Sequence, residues 1–236
     1  MDQYILAPKL KIVIMGQYGV GKSSLILSYI RGSYQSDVNM TMGVVFFSKT
    51  LDLANNEKVV LNIWDTAGSE RFHSLVPMYI RDALTILLCV DVPNIKTIKD
   101  SIQKIKETNS SAKIIIVATK TDLLYYDKDE STITSDYGKE TMGWAPSQND
   151  LLAFGLLWME INDYSIAEGY QIIFVSSLTN LNVSYLFYVA AVESYVIYKN
   201  IQIEKKNITY GYGSKSGWGS GLEKNTNVNV AKNTCC

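Results

Sequence analysis

The sequence predicts an α/β protein with a mostly parallel, doubly wound sheet. Three short runs are almost wholly apolar, which is typical of parallel strands covered on both faces: residues 10–15, 85–90 and 113–118. Segments with helical periodicity separate these runs, and strands that alternate with helices indicate right-handed β–α–β units. We therefore expect helices on both faces of the sheet and a ligand site at the carboxyl edge of its strands.

A hairpin and further helices complete the predicted elements. Residues 43–53 and 59–64 are extended runs joined by the turn residues 54–57, which predicts a hairpin and one antiparallel strand. Trp158, within the apolar segment 151–161, is expected to pack in the core. Two segments repeat apolar residues on one helical face, and each is therefore predicted to be a helix. In the first segment these residues are Ile95, Ile98, Ile102 and Ile105. In the second, which is expected to reach about Lys199, they are Val183, Leu186, Phe187, Ala190 and Ala191.

Size and composition favour one domain with appendages. The chain has 236 residues, 47% of them apolar, which suffices for one large core rather than two complete ones. A net charge of −1 without a basic stripe argues against nucleic-acid binding. Cys89, Cys235 and Cys236 cannot build a disulfide framework, and residues 1–4 lack the form of a secretory signal. We expect a protein of the reducing cytosol without a membrane-spanning helix, since no apolar window reaches about 18 residues.

Two stretches interrupt the α/β pattern and set the expected domain boundaries. Residues 1–200 are predicted to form the domain, and residues 201–236, rich in Asn, Gly, Ser and Thr, a flexible tail. Within the domain, residues 124–150 are long, weakly periodic and acidic, which indicates an inserted loop. Its carboxylates are Asp127, Asp129, Glu130, Asp136, Glu140 and Asp150.

Residues 16–23, with the sequence Gly-Gln-Tyr-Gly-Val-Gly-Lys-Ser, follow the first strand and lead into an apolar helix. This is the G-x-x-x-x-G-K-[ST] pattern in the context that supports phosphate binding. The glycines let backbone N–H groups surround a triphosphate, Lys22 adds a positive charge, and Ser23 can offer its hydroxyl to Mg²⁺. The alternative is a glycine-rich turn followed by chance by Lys and Ser.

Two further motifs narrow the nucleotide. Asp65 ends a strand where a Mg²⁺ shell would lie, and Gly68 leaves a backbone N–H open to a terminal phosphate. Asp122, in Thr-Lys-Thr-Asp after the third apolar strand, can accept two hydrogen bonds from guanine that adenine cannot offer. Asp65 as a mere turn cap, and residues 119–122 as an ordinary polar loop, are the alternatives.

On these motifs the chain resembles a small GTPase of the Ras superfamily, specifically of its Rab branch. Residues 16–23, 41–43, 65–68, 119–122 and 176–178 resemble the first box, first switch and third to fifth boxes of the family. The resemblance covers about residues 9–199 without the acidic insert, and it implies the P-loop small-GTPase fold with a six-stranded sheet. Rab character lies in residues 41–46, residues 64–72 and the paired terminal cysteines.

The resemblance implies Mg²⁺ as cofactor and GTP or GDP as the bound nucleotide. Lys22 would contact the β- and γ-phosphates, Ser23 and Thr41 would contact Mg²⁺ directly, and Asp65 would hold it through water. Gly68 would sense the γ-phosphate, so hydrolysis would release the segments that carry Thr41 and Gly68. The catalytic set implied is Lys22, Thr41, Gly68 and Ser69, the last at the position where the family normally has Gln.

For the base, the resemblance implies that Tyr34 flanks the guanine ring, that Asp122 reads it, and that Lys120 packs its stem along it and braces the phosphate loop. The full nucleotide-binding set implied is Gly19, Val20, Gly21, Lys22, Ser23, Ser24, Tyr34, Thr41, Gly68, Thr119, Lys120, Asp122, Ser176, Ser177 and Leu178.

Departures from the family pattern concern hydrolysis first. Ser69 is too short to orient the attacking water, so intrinsic hydrolysis is expected to be slowed about 10–100-fold, unless a water chain substitutes. Tyr18 would crowd the space of the water and of an activating arginine, although Rab-type activating proteins also bring their own Gln. Milder departures are Thr119 for Asn, Leu178 for Lys, Val38 where a Tyr often closes over the phosphates, and Val45 for the Asp typical of Rab proteins.

The terminal Cys235 and Cys236 predict attachment to a membrane. Resemblance to Rab proteins implies geranylgeranyl groups on both, on the cytoplasmic face of an intracellular membrane, with cycling through the cytosol. The implied partners are effectors, an exchange factor, an activating protein and escort or GDI-type proteins, and we expect a monomer. An unmodified terminus is the alternative.

The leading hypothesis is therefore a GTP/GDP switch that recruits effectors in vesicle traffic. A GTP-binding membrane scaffold with negligible hydrolysis is the second hypothesis, favoured by Ser69 and Tyr18. A P-loop kinase that uses ATP is the third.

Overall fold

The computed structural model describes residues 7–36, 38, 40–54, 56–68, 75–91, 94–125 and 148–212. Six strands form one sheet in the order β2-β3-β1-β4-β5-β6, in which only the β2–β3 pair is antiparallel. The predicted α/β class and the hairpin are thus confirmed. The strands are β1 Lys9–Gly16, β2 Val44–Asp52, β3 Lys58–Thr66, β4 Thr85–Val90, β5 Lys113–Ala118 and β6 Gln171–Phe174.

Helices connect the parallel strands, as crossovers between parallel neighbours require. They are α1 Lys22–Arg31, α2 Val76–Ile80, α3 Ile95–Thr108, α4 Gln148–Glu168 and α5 Val183–Tyr212, with a 3-10 helix over Thr121–Tyr125. The start of α3 is fixed by its cap, because the Asn94 side chain accepts a hydrogen bond of 3.0 Å from the Thr97 N–H.

The core lies on both faces of the sheet. On one face, β-strand residues pack with α1 and α5, where Tyr29 stacks on Phe187 at a centroid distance of 4.0 Å. On the other face they pack with α2, α3 and α4, where the buried Trp158 meets Phe174 edge to face. The prediction that Trp158 is a core residue is confirmed. Because both faces are covered, β4 and β5 are almost continuously apolar.

Three predicted boundaries were wrong. The insert was expected over residues 124–150, but Leu124 and Tyr125 belong to the 3-10 helix and residues 148–150 open α4. Helix α5 ends at Tyr212 instead of about Lys199, so residues 201–212 are helical where a flexible tail was predicted. Residues 203–207 of this stretch are exposed, and their Glu and Lys side chains are good helix formers, so this part of the helix forms without burial in a core.

The chain divides into a unit over residues 1–199 and a second unit that begins at Asn200. Residues 126–147 of the insert and 213–236 of the predicted tail lie outside the described residues. Among the helices that are described, none combines the length and apolarity needed to cross a membrane.

Candidate functional site

A cavity of about 170 Å³ opens at the carboxyl edge of β1, where the chain turns into α1. The turn needs Gly16, because its φ is +149° and a Cβ there would lie 2.4 Å from the carbonyl oxygen of Cys89. The cavity therefore lies at the carboxyl edge of the sheet, where the sequence predicts a ligand site. Its lining includes Tyr18, Gly19, Gly21, Lys22, Ser23, Ser24, Val38, Met40, Thr41, Thr66 and Gly68.

The Lys22 side chain is buried beneath this turn. Its ammonium donates hydrogen bonds to the carbonyl oxygens of Gly16 at 2.9 Å and Gln17 at 2.8 Å. Burial lowers the pKa of Lys22, and the negative groups around it only partly offset this effect. An anionic ligand in the cavity would favour the charged ammonium, which makes Lys22 a suitable phosphate-binding group.

Two hydroxyls and one carboxylate meet beside Lys22. The Ser23 hydroxyl donates to Asp65 Oδ2 at 2.6 Å, and the Thr41 hydroxyl donates to the same oxygen at 3.2 Å. The Ser23 and Thr41 hydroxyl oxygens are 2.7 Å apart. The structure thus brings together one residue from α1, one from the segment before β2 and one from the end of β3.

The environment of Asp65 fits a divalent cation. The residue is 1% exposed, and its Oδ1 has no hydrogen-bond partner in the described part of the chain. Burial raises the pKa of Asp65, against the opposing hydrogen bond from Ser23 and the charge of Lys22. A buried carboxylate with one unpaired oxygen is stabilised by a cation, and one carboxylate with two hydroxyls is a hard oxygen donor set of the kind Mg²⁺ prefers.

The described residues offer no rival metal centre built from three or more His, Cys, Asp or Glu side chains. A cation at the Ser23, Thr41 and Asp65 cluster would take its remaining ligands from water or from a bound phosphate, as Mg²⁺ usually does.

Gly68 closes the cavity from the side of β3. A Cβ at this position would lie 2.5 Å from Lys22 Nζ and 2.6 Å from the carbonyl group of Gln17. Only glycine allows the backbone to approach the phosphate-binding turn this closely. Ser69, the next residue and the predicted degenerate catalytic position, lies outside the described residues.

The loop after β5 is tied to the phosphate-binding turn. The Thr119 hydroxyl donates to the carbonyl oxygen of Val20 at 2.8 Å and has a second contact of 3.1 Å with that of Val90. Lys120, which follows Thr119 in the same loop, has its ammonium 2.9 Å from Asp91 Oδ2.

Asp91 was missed by the sequence reasoning. It directly follows the apolar strand β4, at the same edge of the sheet as the other candidate residues. A carboxylate directly after an apolar strand was the sequence signal that could have identified Asp91 as a candidate site residue.

Asp122 is held by the loop after β6. The Ser176 hydroxyl donates to Asp122 Oδ1 at 2.5 Å and accepts a bond of 3.2 Å from the Thr179 N–H. The carbonyl oxygen of Ser177 accepts a bond of 3.3 Å from Ser28 of α1, and Leu178 is exposed. The fourth and fifth motifs are therefore adjacent in space, as a shared base site would require.

The remaining candidates have different surroundings. Tyr34 follows α1 and is exposed, and Val20 is buried in the phosphate-binding turn. Tyr18 is 66% exposed and lines the mouth of the cavity, so its ring is free to meet a ligand or a partner. Cys235 and Cys236, the predicted lipidation sites, lie outside the described residues.

Comparison with known proteins agrees with this geometry. The sequence model of the Ras family matches residues 11–149. "Ras-related protein Rab5" of Nicotiana tabacum is 35% identical over 130 residues, 53% of this chain and 62% of the relative. "Ras-related protein Rab5A" of Oryza sativa subsp. japonica is 46% identical over 84 residues, 36% of this chain and 41% of the relative.

The chain thus spans less than two thirds of the length of these relatives. The family match, in contrast, covers more than half of the chain, including the phosphate-binding turn, Thr41, Asp65 and Asp122. The chain therefore belongs to the Ras family, and the relatives reported above are Ras-related Rab5 proteins.

Proposed function

We propose that the protein is a guanine-nucleotide switch that binds GTP and GDP with Mg²⁺, hydrolyses GTP slowly, and recruits effectors at a membrane in vesicle traffic. The observation that carries the proposal is the meeting of the Ser23 and Thr41 hydroxyls at the Asp65 carboxylate, next to the buried ammonium of Lys22. These groups suit a phosphate and a divalent cation bound side by side.

The phosphate-binding part of the proposal uses the turn before α1. Lys22 binds the β- and γ-phosphates, with backbone N–H groups of residues 19–24 around them. The Gly68 N–H donates to the γ-phosphate, since no side chain separates this backbone from Lys22. The phosphates thereby add to the negative charge around the buried Lys22 ammonium, which the groups already present supply only in part.

The cation-binding part uses Ser23 and Thr41 as direct ligands and Asp65 through water. Bound Mg²⁺ would neutralise charge on the β- and γ-phosphates. Thr41 belongs to the segment between α1 and β2, whose described residues have no regular secondary structure. When the γ-phosphate leaves, Thr41 and Gly68 lose their ligands and their segments are released, which is the switch.

The base-binding part uses Asp122, with Tyr34 and the stem of Lys120 against the ring. The bond from Ser176 fixes one oxygen of Asp122, so the carboxylate is pre-oriented to accept from the guanine N1–H and amino group. Adenine presents no matching pair of donors. The proposal therefore favours GTP over ATP and sets aside the kinase hypothesis.

Slow hydrolysis follows in the proposal from Ser69 and Tyr18. Serine cannot reach both the attacking water and the transition-state oxygens, and water placement is a large part of this chemistry. Tyr18, which is exposed and lines the cavity, would crowd the approach of an activating arginine. The same exposure favours a second candidate function, a long-lived GTP-bound scaffold that barely hydrolyses.

Membrane recruitment rests in the proposal on Cys235 and Cys236 as geranylgeranyl acceptors. Two lipid chains are needed for stable anchoring, and one alone binds only marginally. The partners proposed are effectors, an exchange factor, an activating protein and escort or GDI-type proteins. Support for an effector surface comes from two exposed apolar side chains, that of Met42 just before β2 and that of Phe46 within it.

The test is the nucleotide carried by the purified full-length protein, followed by single-turnover GTP hydrolysis with and without a Rab activating protein. We expect bound GDP or GTP, slow intrinsic hydrolysis, and stimulation by the activating protein. Bound adenine nucleotide, or equal thermal protection by ATP and GTP, would contradict the switch. Bound GTP without any stimulated turnover would favour the scaffold.

A further inference from the structure

Helix α5 carries apolar side chains on the face opposite its buried one. The buried face, with Phe187 and Ala191, packs on the sheet. On the opposite face the side chain of Tyr185 is 54% exposed, that of Val192 37% and that of Val196 51%. A helix that is apolar on both sides is typical of one that is covered on both sides. The outer face of α5 is therefore a candidate contact surface.

The exposed residues of this face follow the spacing of a helix–helix contact. The partly buried Val189 lies between Tyr185 and Val192, so the steps from Tyr185 to Val196 are four, three and four residues, and a further step of three reaches Lys199. Alternating steps of three and four keep side chains in one stripe. At a rise of 1.5 Å per residue the stripe is about 21 Å long. We call these five residues the α5 seam; all lie in the unit of residues 1–199, outside the candidate nucleotide site.

The last residue of the α5 seam is a cation. The Lys199 ammonium lies 3.4 Å from Glu57 Oε1 and 4.9 Å from the centroid of the Tyr195 ring. Both members of this ion pair are about half exposed, and such a pair contributes little to stability. The Lys199 side chain can therefore exchange this contact for another. Glu193, at the side of the seam, lies 3.8 Å from the Lys113 ammonium.

We propose that two copies of this chain associate in antiparallel orientation along the α5 seam, with a two-fold axis near Val192. This arrangement places Tyr185 of each copy opposite Lys199 of the other, and Val189 opposite Val196. An ammonium over a tyrosine ring is a favourable contact, and the valines remove one another from water. A parallel pair would instead bring the two Lys199 ammonium groups together, and like charges across an interface are unfavourable.

The seam suits a second copy better than other occupants. Its aromatic end and its cationic end match when a copy is turned through 180°, which is what a two-fold interface requires. Helices that lie in a lipid surface are usually rich in Lys and Arg beside the apolar face. The α5 seam has a single cation, Lys199, and the carboxylate of Glu193 beside it. The proposed dimer departs from the monomer expected from the sequence.

Sedimentation equilibrium of the full-length protein tests the association. A stripe of this length makes an interface at the small end of the known range, so we expect a dissociation constant of about 10–100 µM. Val192→Asp should raise that constant about 10-fold or more, because it brings two carboxylates together at the axis. Val192→Asn, of similar shape without the charge, should raise it less. Ile166→Asp makes the same change at an exposed apolar residue of α4 and should leave the constant unchanged.

Disulfide formation tests the antiparallel orientation. Val189→Cys and Val196→Cys are made in separate full-length chains that also carry Cys235→Ser and Cys236→Ser, since the remaining Cys89 is buried. Oxidation of their mixture should give mainly the mixed disulfide. The two copies of position 189 would lie about 10 Å apart along the helix, beyond the reach of a disulfide.

Circular dichroism and the nucleotide content of each variant separate loss of the dimer from loss of the fold. Four results would each overturn the proposal. They are a protein that stays monomeric at about 1 mM, well above the expected dissociation constant, a Val192→Asp variant that dimerises as the wild type does, equal weakening by Ile166→Asp, and disulfides mainly between identical positions. A monomer that floats with phosphatidylcholine vesicles, and loses this binding in Val192→Asp, would assign the seam to a lipid surface instead.

Discussion

The Ser23 hydroxyl donates a hydrogen bond of 2.6 Å to Asp65 Oδ2, across 42 positions of the sequence. The Thr41 hydroxyl oxygen lies 2.7 Å from that of Ser23, so the segment before β2 reaches the same point. Since Asp65 Oδ1 has no partner in the described part of the chain, the cluster retains capacity for a further ligand. A cation bound here would hold the phosphate-binding turn, β3 and the Thr41 segment together.

Removal of the Ser23 hydroxyl tests the proposed cation site. Ser23→Ala should weaken the Mg²⁺ dependence of GDP binding about 10-fold or more, the scale of one lost contact to a charged group. The measurement is the release rate of a fluorescent GDP analogue with Mg²⁺ and with excess chelator. Ser101→Ala is the control, since that hydroxyl bonds only within α3, to the Thr97 carbonyl oxygen. Unchanged Mg²⁺ dependence in Ser23→Ala would rule out the site.

The bond from Thr119 to Val20 should stabilise both the fold and the phosphate-binding turn. Thr119→Val keeps the shape but leaves the buried carbonyl oxygen of Val20 without this donor, which costs about 1–3 kcal/mol in free energy of unfolding. Urea denaturation in saturating GDP measures the loss, and GDP release should also become faster. Thr119→Asn, the usual family residue, should restore the donor. If the valine variant is as stable as the wild type, the bond has no energetic role.

Tyr29 makes stability sensitive to alkaline pH. Burial raises the pKa of Tyr29 from 10.0 to about 12, and its hydroxyl has no partner among the described residues. Between these values the unfolded chain loses the proton and the folded protein keeps it. The contribution of the Tyr29 hydroxyl to the free energy of unfolding is thus fully present below pH 10. It is lost as the pH rises toward 12, at about 1.4 kcal/mol per pH unit.

Tyr29→Phe should remove this part of the alkaline slope and be as stable as the wild type, or more stable by about 1 kcal/mol, at pH 8. Chemical denaturation at several values between pH 8 and 11 provides the free energies of unfolding. Tyr185→Phe is the control, because Tyr185 is exposed on α5. Parallel pH profiles for wild type and Tyr29→Phe would show that the phenol ionises equally in both states.

Restoring the usual glutamine tests the account of slow hydrolysis. Ser69→Gln should raise single-turnover GTP hydrolysis about 10–100-fold, because the longer side chain can position water. Ser69→Asn, with the same amide on a shorter stem, should raise it less. If Ser69→Gln changes nothing while Tyr18→Ser accelerates turnover, the limiting residue is Tyr18 and the explanation based on Ser69 is wrong.

Much of the fold followed from local patterns. The runs that became β1, β4 and β5 are apolar because the sheet is covered on both faces, and the turn at residues 54–57 fixed the hairpin. Helix α5 was recognised by its buried face, from Val183 to Ala191, but its length was not. Residues 203–207 of that helix are exposed, and periodicity does not detect a helical segment without a buried face.

The candidate site was predictable where a motif is contiguous, as in the turn that carries Lys22 and Ser23. Contacts between residues far apart in the sequence could not be predicted, because the pattern of a single sequence does not show which distant residues meet in the fold. The ion pair of Lys120 with Asp91 depends on how the loops after β4 and β5 cross the sheet edge. It appears only when the fold brings the partners together.

Base selectivity is the most direct test of the central claim that this is a guanine-nucleotide site. Competition of GDP and ADP for the nucleotide-free protein should give at least about a 10³-fold preference for GDP, as sites that hydrogen-bond a substrate group reject analogues that lack it. Asp122→Asn should weaken GDP binding and improve binding of xanthosine diphosphate, whose C2 carbonyl can accept from the amide. Equal affinity for GDP and ADP, or an Asp122→Asn variant that binds GDP as the wild type does, would contradict the claim.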